Sequence, residues 1–354
     1  METVITDDLD RQLAQCLAVD GRASFSAIAA VMGVSDQTVA RRYRRLRSAG
    51  LLRVVGLKWV KSAGTAHWFL RLRCLPGSGE AIASALARRT DTAWVQLLSG
   101  DTEVLCSLRE ERASGGQSLL ARLPRSDRIV NVSAFSRLHI FTGGPGDSGF
   151  IDALPAERLA PLRPAPATPR PEPVRLTELD QALFDALAMD GRAPYADLAA
   201  AAGWSESTVR RRVEALREAG ALSFKVELDL PAFGLHTATW LWLSVPPAYL
   251  AETGTALAKF PEVAYAAATT GPANLAASVV CRDEQSLYEF LTVKVGSLPG
   301  VERVETSPVI RSVKQASPVP LPGPRAFPHD AGKRRAHRAS PGGVISLCHF
   351  WHVG

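Results

Sequence analysis

A long internal repeat constrains this chain of 354 residues more than any other feature. Residues 9–52 align without a gap to residues 179–222 at a constant offset of 170, and 22 of the 44 paired positions are identical. Solenoid repeats are only about 20–50 residues long, so a period of this length indicates two copies of whole domains.

Each copy has the pattern of a helix-turn-helix. In the first copy, Ala29 allows close approach of two helices, Gly33 permits a left-handed turn, and Val39 packs back into the crossing. Ser35 is placed to cap the second helix with its hydroxyl group. The second copy repeats all four residue types at the offset of 170.

The second helix of each pair has a polar, arginine-rich outer face, which is typical of a helix that lies in a DNA major groove. The candidate DNA-contacting residues of the first copy are Ser35, Gln37, Thr38, Arg41, Arg42, Arg44 and Arg45. Those of the second copy are Ser205, Ser207, Thr208, Arg210 and Arg211. Residues 35–50 hold five arginines and one acid, whereas residues 205–220 hold four arginines and three glutamates. The first copy should therefore attract phosphate more strongly.

Two alternatives exist for these helices. A basic face can also be the solvated side of a purely structural bundle. Arg42 and Arg212 are candidates to brace their helices from the flank rather than to touch DNA.

After each helical unit the sequence predicts the order β-α-β-β-α-β, which is a ferredoxin-like sandwich with helices on one face of an antiparallel sheet. The first copy predicts strands at 65–75, 92–98, 103–108 and 129–141, with helices at 78–89 and 117–123. The second predicts strands at 237–245, 263–269, 275–281 and 301–313, with helices at 248–259 and 284–298. The fold class is therefore α+β, with two winged helix-turn-helix units each followed by such a domain.

The predicted domain order follows from these patterns. It is a helix-turn-helix domain at 1–60, a sensing domain at 65–141, a linker at 142–176, a second helix-turn-helix domain at 177–230, a second sensing domain at 235–314, and a tail at 315–354. The linker contains eight prolines and is predicted to be semi-extended, and the basic tail is predicted to be disordered. Leu51–Val60 predicts a wing or connecting strand.

Composition narrows the function classes. No apolar run approaches the roughly 20 residues of a membrane span, and the acidic start does not resemble a signal peptide. The five cysteines are scattered without a CxxC pair, so we expect a cytoplasmic protein without cofactor or metal. Cys348, His349 and His352 in the tail are a weaker metal candidate.

The arrangement resembles the Lrp/AsnC family of bacterial and archaeal transcription regulators. The resemblance rests on LDxxL at Leu9 and Leu179, DGR at Asp20 and Asp190, and TVxRR at Thr38 and Thr208. It implies a sequence-specific regulator that binds double-stranded DNA and self-associates through its sensing domains. Most members carry one copy, so this chain resembles a covalently fused dimer. Because a lone ferredoxin-like sheet leaves one apolar face open, we expect the two sensing sheets to pair face to face, within one chain or between chains.

The resemblance also implicates the turn between the middle strands of each sensing domain, which in the family lies near an effector pocket. The candidate effector-binding residues are Gly100, Asp101, Glu103, Thr270, Gly271 and Asn274. Only the first turn keeps an acid after the glycine, so we expect at most one amino-acid-like site per chain, at Gly100. Plain hairpin geometry is the alternative for both turns.

The rival class is an enzyme, although the sequence has no phosphate-binding loop, HExxH motif or nucleophile elbow. Sirohaem decarboxylases resemble regulators of this family, also occur as two-copy fusions, and depend on cationic and histidine side chains. The folded part of this chain offers His67, His139 and His236, each alone on a strand-like stretch. We therefore expect a regulator and not an enzyme.

Overall fold

The computed structural model describes residues 6–58, 65–111, 127–144, 151–164 and 176–316. The helix predicted at 117–123 and the tail from residue 317 lie outside these ranges. Within them, none of the helices is both long enough and apolar enough to cross a membrane.

The first half begins with a helix-turn-helix unit, here called the first head. It contains α1 (Asp8–Val19), α2 (Phe25–Met32), α3 (Asp36–Ser48) and strand β1 (Leu52–Lys58). The first sensing domain follows, with β2 (Thr65–Cys74), α4 (Gly79–Ala87), β3 (Thr92–Leu98), β4 (Glu103–Glu111) and β5 (Ile129–Thr142). A short helix, α5 (Ala156–Leu159), comes next.

The second half repeats this order. The second head contains α6 (Glu178–Met189), α7 (Tyr195–Ala202), α8 (Glu206–Glu218) and β6 (Leu222–Leu228). The second sensing domain contains β7 (Thr237–Ser244), α9 (Leu250–Leu257), β8 (Val263–Thr269), β9 (Leu275–Cys281), α10 (Glu284–Glu289) and β10 (Arg303–Lys314). One π turn and one 3₁₀ turn extend α10 to Ser297.

The predicted turn chemistry is confirmed in both heads. Gly33 and Gly203 end α2 and α7 in the left-handed region, with φ of 73° and 69°. The Ser35 and Ser205 side chains then accept hydrogen bonds from the backbone amides of Thr38 and Thr208, three residues on. Each cap satisfies an amide that would lack a partner inside the helix.

The two heads are joined by a two-stranded ribbon. Strand β1, predicted as a wing or connecting strand, pairs antiparallel with β6 of the other head, from Leu52 opposite Leu228 to Lys58 opposite Leu222. Within the described residues this ribbon is separate from the larger sheet. Each head therefore contributes one strand to a shared element.

The two sensing domains form a single closed barrel in the order β10-β3-β4-β2-β5-β8-β9-β7. The last strand of each copy closes it, because β5 pairs with β8 and β10 pairs with β3 of the other copy. The expected pairing of the sensing sheets is thus present within one chain. Its interior is apolar and drawn from both copies: Phe69, Leu98, Leu105, Phe135, Ala238, Trp240, Trp242, Ala276, Val280 and Val309.

Residues 142–176 are predicted to be a linker that is semi-extended where proline is dense, and the structure shows that part of this segment is folded. Thr142 still belongs to β5, and residues 151–164, here called the strap, fold back on the first head. Four apolar side chains at helix-like spacing, Ile151, Leu154, Leu159 and Leu162, enter the core of that head. The Gln15 side chain binds the strap backbone, accepting from the Leu154 amide at 2.6 Å and donating to its carbonyl at 3.2 Å. This short amphipathic pattern was not predicted from the sequence, because the many prolines favoured a linker.

Candidate nucleic-acid interface and effector cavity

The two recognition helices, α3 and α8, each bury one face and expose the other. Val39, Tyr43 and Leu46 of α3 are buried, as are Val209, Val213 and Leu216 of α8. The exposed predicted DNA-contacting residues are Ser35, Gln37, Arg41, Arg44, Arg45, Ser205, Ser207, Arg210 and Arg211, while Thr38, Arg42 and Thr208 are half-buried. The predicted outer faces are therefore accessible to a partner.

In the first head, two of the predicted DNA-contacting arginines form ion pairs with a buried carboxylate on α1. Arg42 donates to Asp7 at 2.8 Å and to Asp10 at 2.9 Å, and Arg45 also pairs with Asp10. Asp10 is fully buried, so these arginines hold α3 against α1. Burial alone would lower the pKa of Arg42, but its hydrogen bonds to Asp7 and Asp10 outweigh burial and raise it. The ion pairs of Arg42 are those expected of a residue that braces α3 from its flank.

The second head uses a simpler version of this brace. Arg212 of α8 pairs with the buried Asp180 of α6 at 2.6 Å. Burial would raise the pKa of Asp180, but hydrogen bonds from Arg212 and Thr177 outweigh it and lower that pKa. On the exposed face, Arg210 pairs with Glu206 at 3.2 Å and lies over the Tyr195 ring. The outer charge of α8 is therefore partly neutralised within the head.

A cavity of about 300 Å³ opens beside the first sensing turn, between β2 and β4 of one copy and β10 of the other. Its lining residues are Arg71, Arg73, Cys74, Ser99, Thr102, Glu103, Val130, Glu305, Thr306 and Ser307. This volume lies at the lower end of the range for small-molecule pockets. The closed barrel brings both copies to the cavity, since β10 pairs with β3 at this end.

A buried charged cluster forms one wall of this cavity. Arg71 pairs with Glu103 and Glu305, and its guanidinium lies 4.9 Å from the centre of the Trp242 ring. Ser307 donates to Glu103 at 3.2 Å. The hydrogen bond from Arg71 holds the pKa of Glu305 below its usual value. The wall therefore presents two carboxylates already held in place by an arginine.

Of the three predicted effector residues at the first turn, only Glu103 lines the cavity. Glu103 is 4% exposed. Asp101 lies instead over the start of α4, where a Cβ atom added to Gly79 would come within 2.5 Å of its Oδ1. Gly100 has a φ of 69° with no atom within 4 Å of an added Cβ, so it shapes the turn.

The predicted effector residues of the second turn make contacts within the protein. Asn274 accepts from the Val245 amide at 3.0 Å and donates to its carbonyl at 2.7 Å. Thr270 accepts from the Ser136 amide at 2.8 Å. Gly271 lies against Phe135, because an added Cβ would come within 2.7 Å of that ring. The polar side chains of this turn are therefore already hydrogen-bonded within the protein.

Of the residues that line the cavity, sequence reasoning predicted only Glu103, and among those it missed are Arg71, Arg73, Glu305 and Ser307. Arg71 could have been found from the sequence. It is a charged residue on the apolar side of β2, and at the matching position of β7 the second copy has Trp242. Glu305 and Ser307 come from the other copy, and only the closed barrel brings them close.

The three histidines do not form a common site. His67 on β2 is half-buried, and burial followed by the charges of Arg137 and Arg109 lowers its pKa to about 4. His139 packs edge-on against Phe141 with ring centres 4.7 Å apart. Among the described residues, no group of three or more histidine, cysteine or acidic side chains is arranged to hold a metal ion.

The fold and the exposed helices define a tandem helix-turn-helix protein with ferredoxin-like sensing domains. The AsnC-type helix-turn-helix domain matches residues 7–47 and 176–217, and the Lrp/AsnC ligand binding domain matches residues 240–319. The HTH-type transcriptional regulator FL11 of Pyrococcus horikoshii is 30% identical over 149 residues, which is 42% of this chain and 98% of that protein. LrpA of the same organism is 26% identical over 140 residues, covering 39% of this chain and 99% of that protein. The chain belongs to the Lrp/AsnC family and is a DNA-binding transcription regulator in tandem form.

Two solved structures of one protein, the siroheme decarboxylase NirDL, each match both halves at once. The crystal structure of the siroheme decarboxylase NirDL aligns with a TM-score of 0.58 and 13% identity, covering 94% of this chain and 100% of that chain. At this identity the likeness shows a shared fold.

Proposed function

We propose that this regulator inserts α3 and α8 into successive major grooves, and that α3 contributes most of the sequence-specific contact. The supporting observation is the difference between the two exposed faces. Arg41 makes no ion pair within the described residues, whereas the matching face of α8 pairs Arg210 with Glu206. An unneutralised arginine is free to bind guanine edges or phosphate.

Replacing Arg41 with alanine should reduce affinity for a specific operator by roughly 1–3 kcal/mol and relax specificity at one base pair. Arg211→Ala is the matched change in the second head and should have a smaller effect, because Glu214 and Glu218 lie on the same helix. Mobility-shift titrations on the chain's own upstream region measure both. Wild-type affinity after Arg41→Ala would contradict the assignment of α3.

Arg44 is the phosphate-contact test in the first head, because Arg45 is partly engaged with Asp10. Arg44→Ala should weaken binding to all DNA sequences alike and reduce the slope of affinity against salt by about 1. A change confined to the specific operator would assign Arg44 to base contact instead.

The effector we propose is a zwitterion of amino-acid size, bound in the cavity at the first turn. Glu103 and Glu305 offer carboxylates to an ammonium group. Arg73, whose side chain is 59% exposed and pairs with Glu305 at 3.3 Å, offers its remaining N–H groups to a carboxylate. The volume of about 300 Å³ suits a ligand of this size. At the second turn the Asn274 amide is already bonded to the Val245 backbone, and residues 270–274 carry no charged side chain to offer a zwitterion.

Calorimetry with the twenty amino acids tests this effector class. Glu103→Gln, which removes charge but keeps shape, should abolish the heat of binding. Asp101→Asn is the matched control and should preserve binding, since the Asp101 carboxylate lies over Gly79. Binding that survives Glu103→Gln but is lost on changing Asn274 would place the site at the other turn.

A sirohaem decarboxylase is the second candidate function, favoured by the match of NirDL to the whole tandem arrangement. An absorbance titration of the purified protein with sirohaem separates the two. A regulator should leave the sirohaem spectrum unchanged. A saturable spectral shift at one equivalent, followed by loss of carboxylate groups from the tetrapyrrole, would establish the enzyme.

A further inference from the structure

The DGR segments of the two heads contact each other reciprocally. Arg22 donates to the carbonyls of Gly191 at 2.8 Å and Ala193 at 3.1 Å in the second head. Arg192 donates to the carbonyls of Gly21 at 2.7 Å and Ala23 at 2.9 Å in the first head. Residues 20–23 and 190–193 together are here called the clasp. Each guanidinium therefore ties together the loop of the opposite head.

Both arginines are substantially removed from solvent. Arg22 lies 4.6 Å from the centre of the Tyr195 ring, and Arg192 lies 4.6 Å from that of Phe25. Burial is the main cause that lowers the pKa of each guanidinium. Side chains held this way are not available to DNA phosphates. Their contacts instead connect the two heads.

The aspartates of the clasp reach the opposite recognition helix. Asp190 of the second head pairs with Arg47 in the last turn of α3, at 2.7 Å. Asp20 of the first head pairs with Arg217 in the last turn of α8, at 2.9 Å. Each recognition helix is thus held at its carboxyl end by a residue of the other head.

The clasp glycines let the loops approach the shared ribbon. A Cβ atom added to Gly21 would lie 2.7 Å from Val54 Cγ1 and from Phe224 Cβ. One added to Gly191 would lie 2.9 Å from the Val55 carbonyl carbon. Val54 and Val55 are fully buried, so neither neighbour has room to move away. The DGR sequence therefore suits contact with the ribbon and the opposite head.

We propose that the clasp sets the orientation of one recognition helix relative to the other, so that the protein accepts two half-sites at a single spacing and helical phase. Arg22 and Arg192 are positioning residues and make no contact with DNA. This inference rests on the proposed function, in which both α3 and α8 enter major grooves. Heads that bind adjacent turns of one DNA face require half-sites about 10–10.5 base pairs apart, so a fixed orientation becomes a spacing requirement.

The experiment uses the full-length chain and DNA duplexes selected from a random pool by the wild-type protein. About five base pairs, roughly half a helical turn, are inserted between the two half-sites. The measured quantity is the ratio of affinities for the original and lengthened duplexes. We expect at least about a ten-fold ratio for wild type, and a ratio below about three for the double variant Arg22→Gln with Arg192→Gln.

Two further variants distinguish a loss of positioning from misfolding and from a general loss of DNA affinity. Asp20→Asn with Asp190→Asn removes the charge from the pairs to Arg217 and Arg47, while the asparagine oxygen can still accept from the backbone amides of Arg22 and Arg192. This variant should give an intermediate ratio even if the arginine variant does not fold. Arg44→Gln, on the exposed face of α3, should lower affinity for both duplexes and leave the ratio at its wild-type value. The ratio is informative because a general loss of stability lowers both affinities together.

The outcomes separate the two levels of the proposal. If wild type selects no duplex above background, the proposed DNA contact fails. If it selects duplexes with one half-site, or if the folded clasp variants keep the ten-fold ratio, the positioning role of the clasp is wrong while DNA binding stands.

Discussion

Removing the Asp10 carboxylate should destabilise the first head by about 3 kcal/mol. Asp10 is fully buried, and Asp10→Ala would leave Arg42 without its buried acceptor and Arg45 without its only ion-pair partner among the described residues. The Arg42 side chain is only 17% exposed and would keep Asp7 as an acidic partner, and truncating one member of a buried ion pair is strongly destabilising. The variant also loses the hydrogen bond that Asp10 accepts from the Asp7 amide at the start of α1.

Hydrogen exchange followed by mass spectrometry measures this effect head by head. Amides in α1 to α3 should lose protection, whereas those in the barrel strands should keep it. Asp8→Ala is the control on the same helix, because its carboxylate is 82% exposed and pairs only at the surface with Arg11. Such exposed pairs contribute roughly 0–1 kcal/mol. Equal protection in the two variants would contradict the bracing role of Asp10.

The other large expected effect is at the second sensing turn, where Gly271→Ala should destabilise the barrel by about 2–4 kcal/mol. Gly271 has a φ of 104°, which an L side chain rarely adopts, and an added Cβ would lie 2.7 Å from Phe135. Phe135 is 8% exposed and packs in the barrel interior, so the ring cannot easily shift. Backbone strain of about 1–3 kcal/mol and overpacking of similar size both contribute.

Gly100→Ala is the matched change at the first turn. Gly100 has a φ of 69°, but no atom lies within 4 Å of an added Cβ, so only backbone strain of about 1–2 kcal/mol is expected. Denaturation followed by tryptophan fluorescence reports on both, since Trp242 lies 5.6 Å from Phe135 between ring centres. If the two variants lose the same stability, steric overlap with Phe135 does not matter.

Local sequence patterns predicted the elements closely. The strands at 92–98, 263–269 and 275–281 have the predicted bounds, and the α3 cap at Ser35 forms as expected. These features depend on neighbours a few residues apart, where periodicity and turn chemistry act. Because the sequence repeats, the same order of helices and strands could be predicted for the second half.

Contacts between the copies were not predictable in the same way. Alternation along β5 shows that it is a strand, but nothing local indicates that its second edge pairs with β8. The strap was missed because its partner, Gln15, lies 139 residues from Leu154 in sequence. Asp101 and Glu103 were both predicted effector residues, and the sequence could not show which carboxylate lines the cavity, because that depends on contacts with Arg71 and β10.

The closed barrel leaves none of its described strands with a free edge to which another sensing domain could add. A sensing domain with a free strand edge can exchange its partner for that of a related protein, so separate subunits form mixed populations. Here every strand of the barrel has a neighbour on both sides within the same chain. The two unlike heads therefore remain together at any dilution, in a fixed one-to-one ratio that protein concentration does not alter. Such a protein can distinguish the two directions along an asymmetric operator, so its orientation relative to a promoter is encoded in a single gene product.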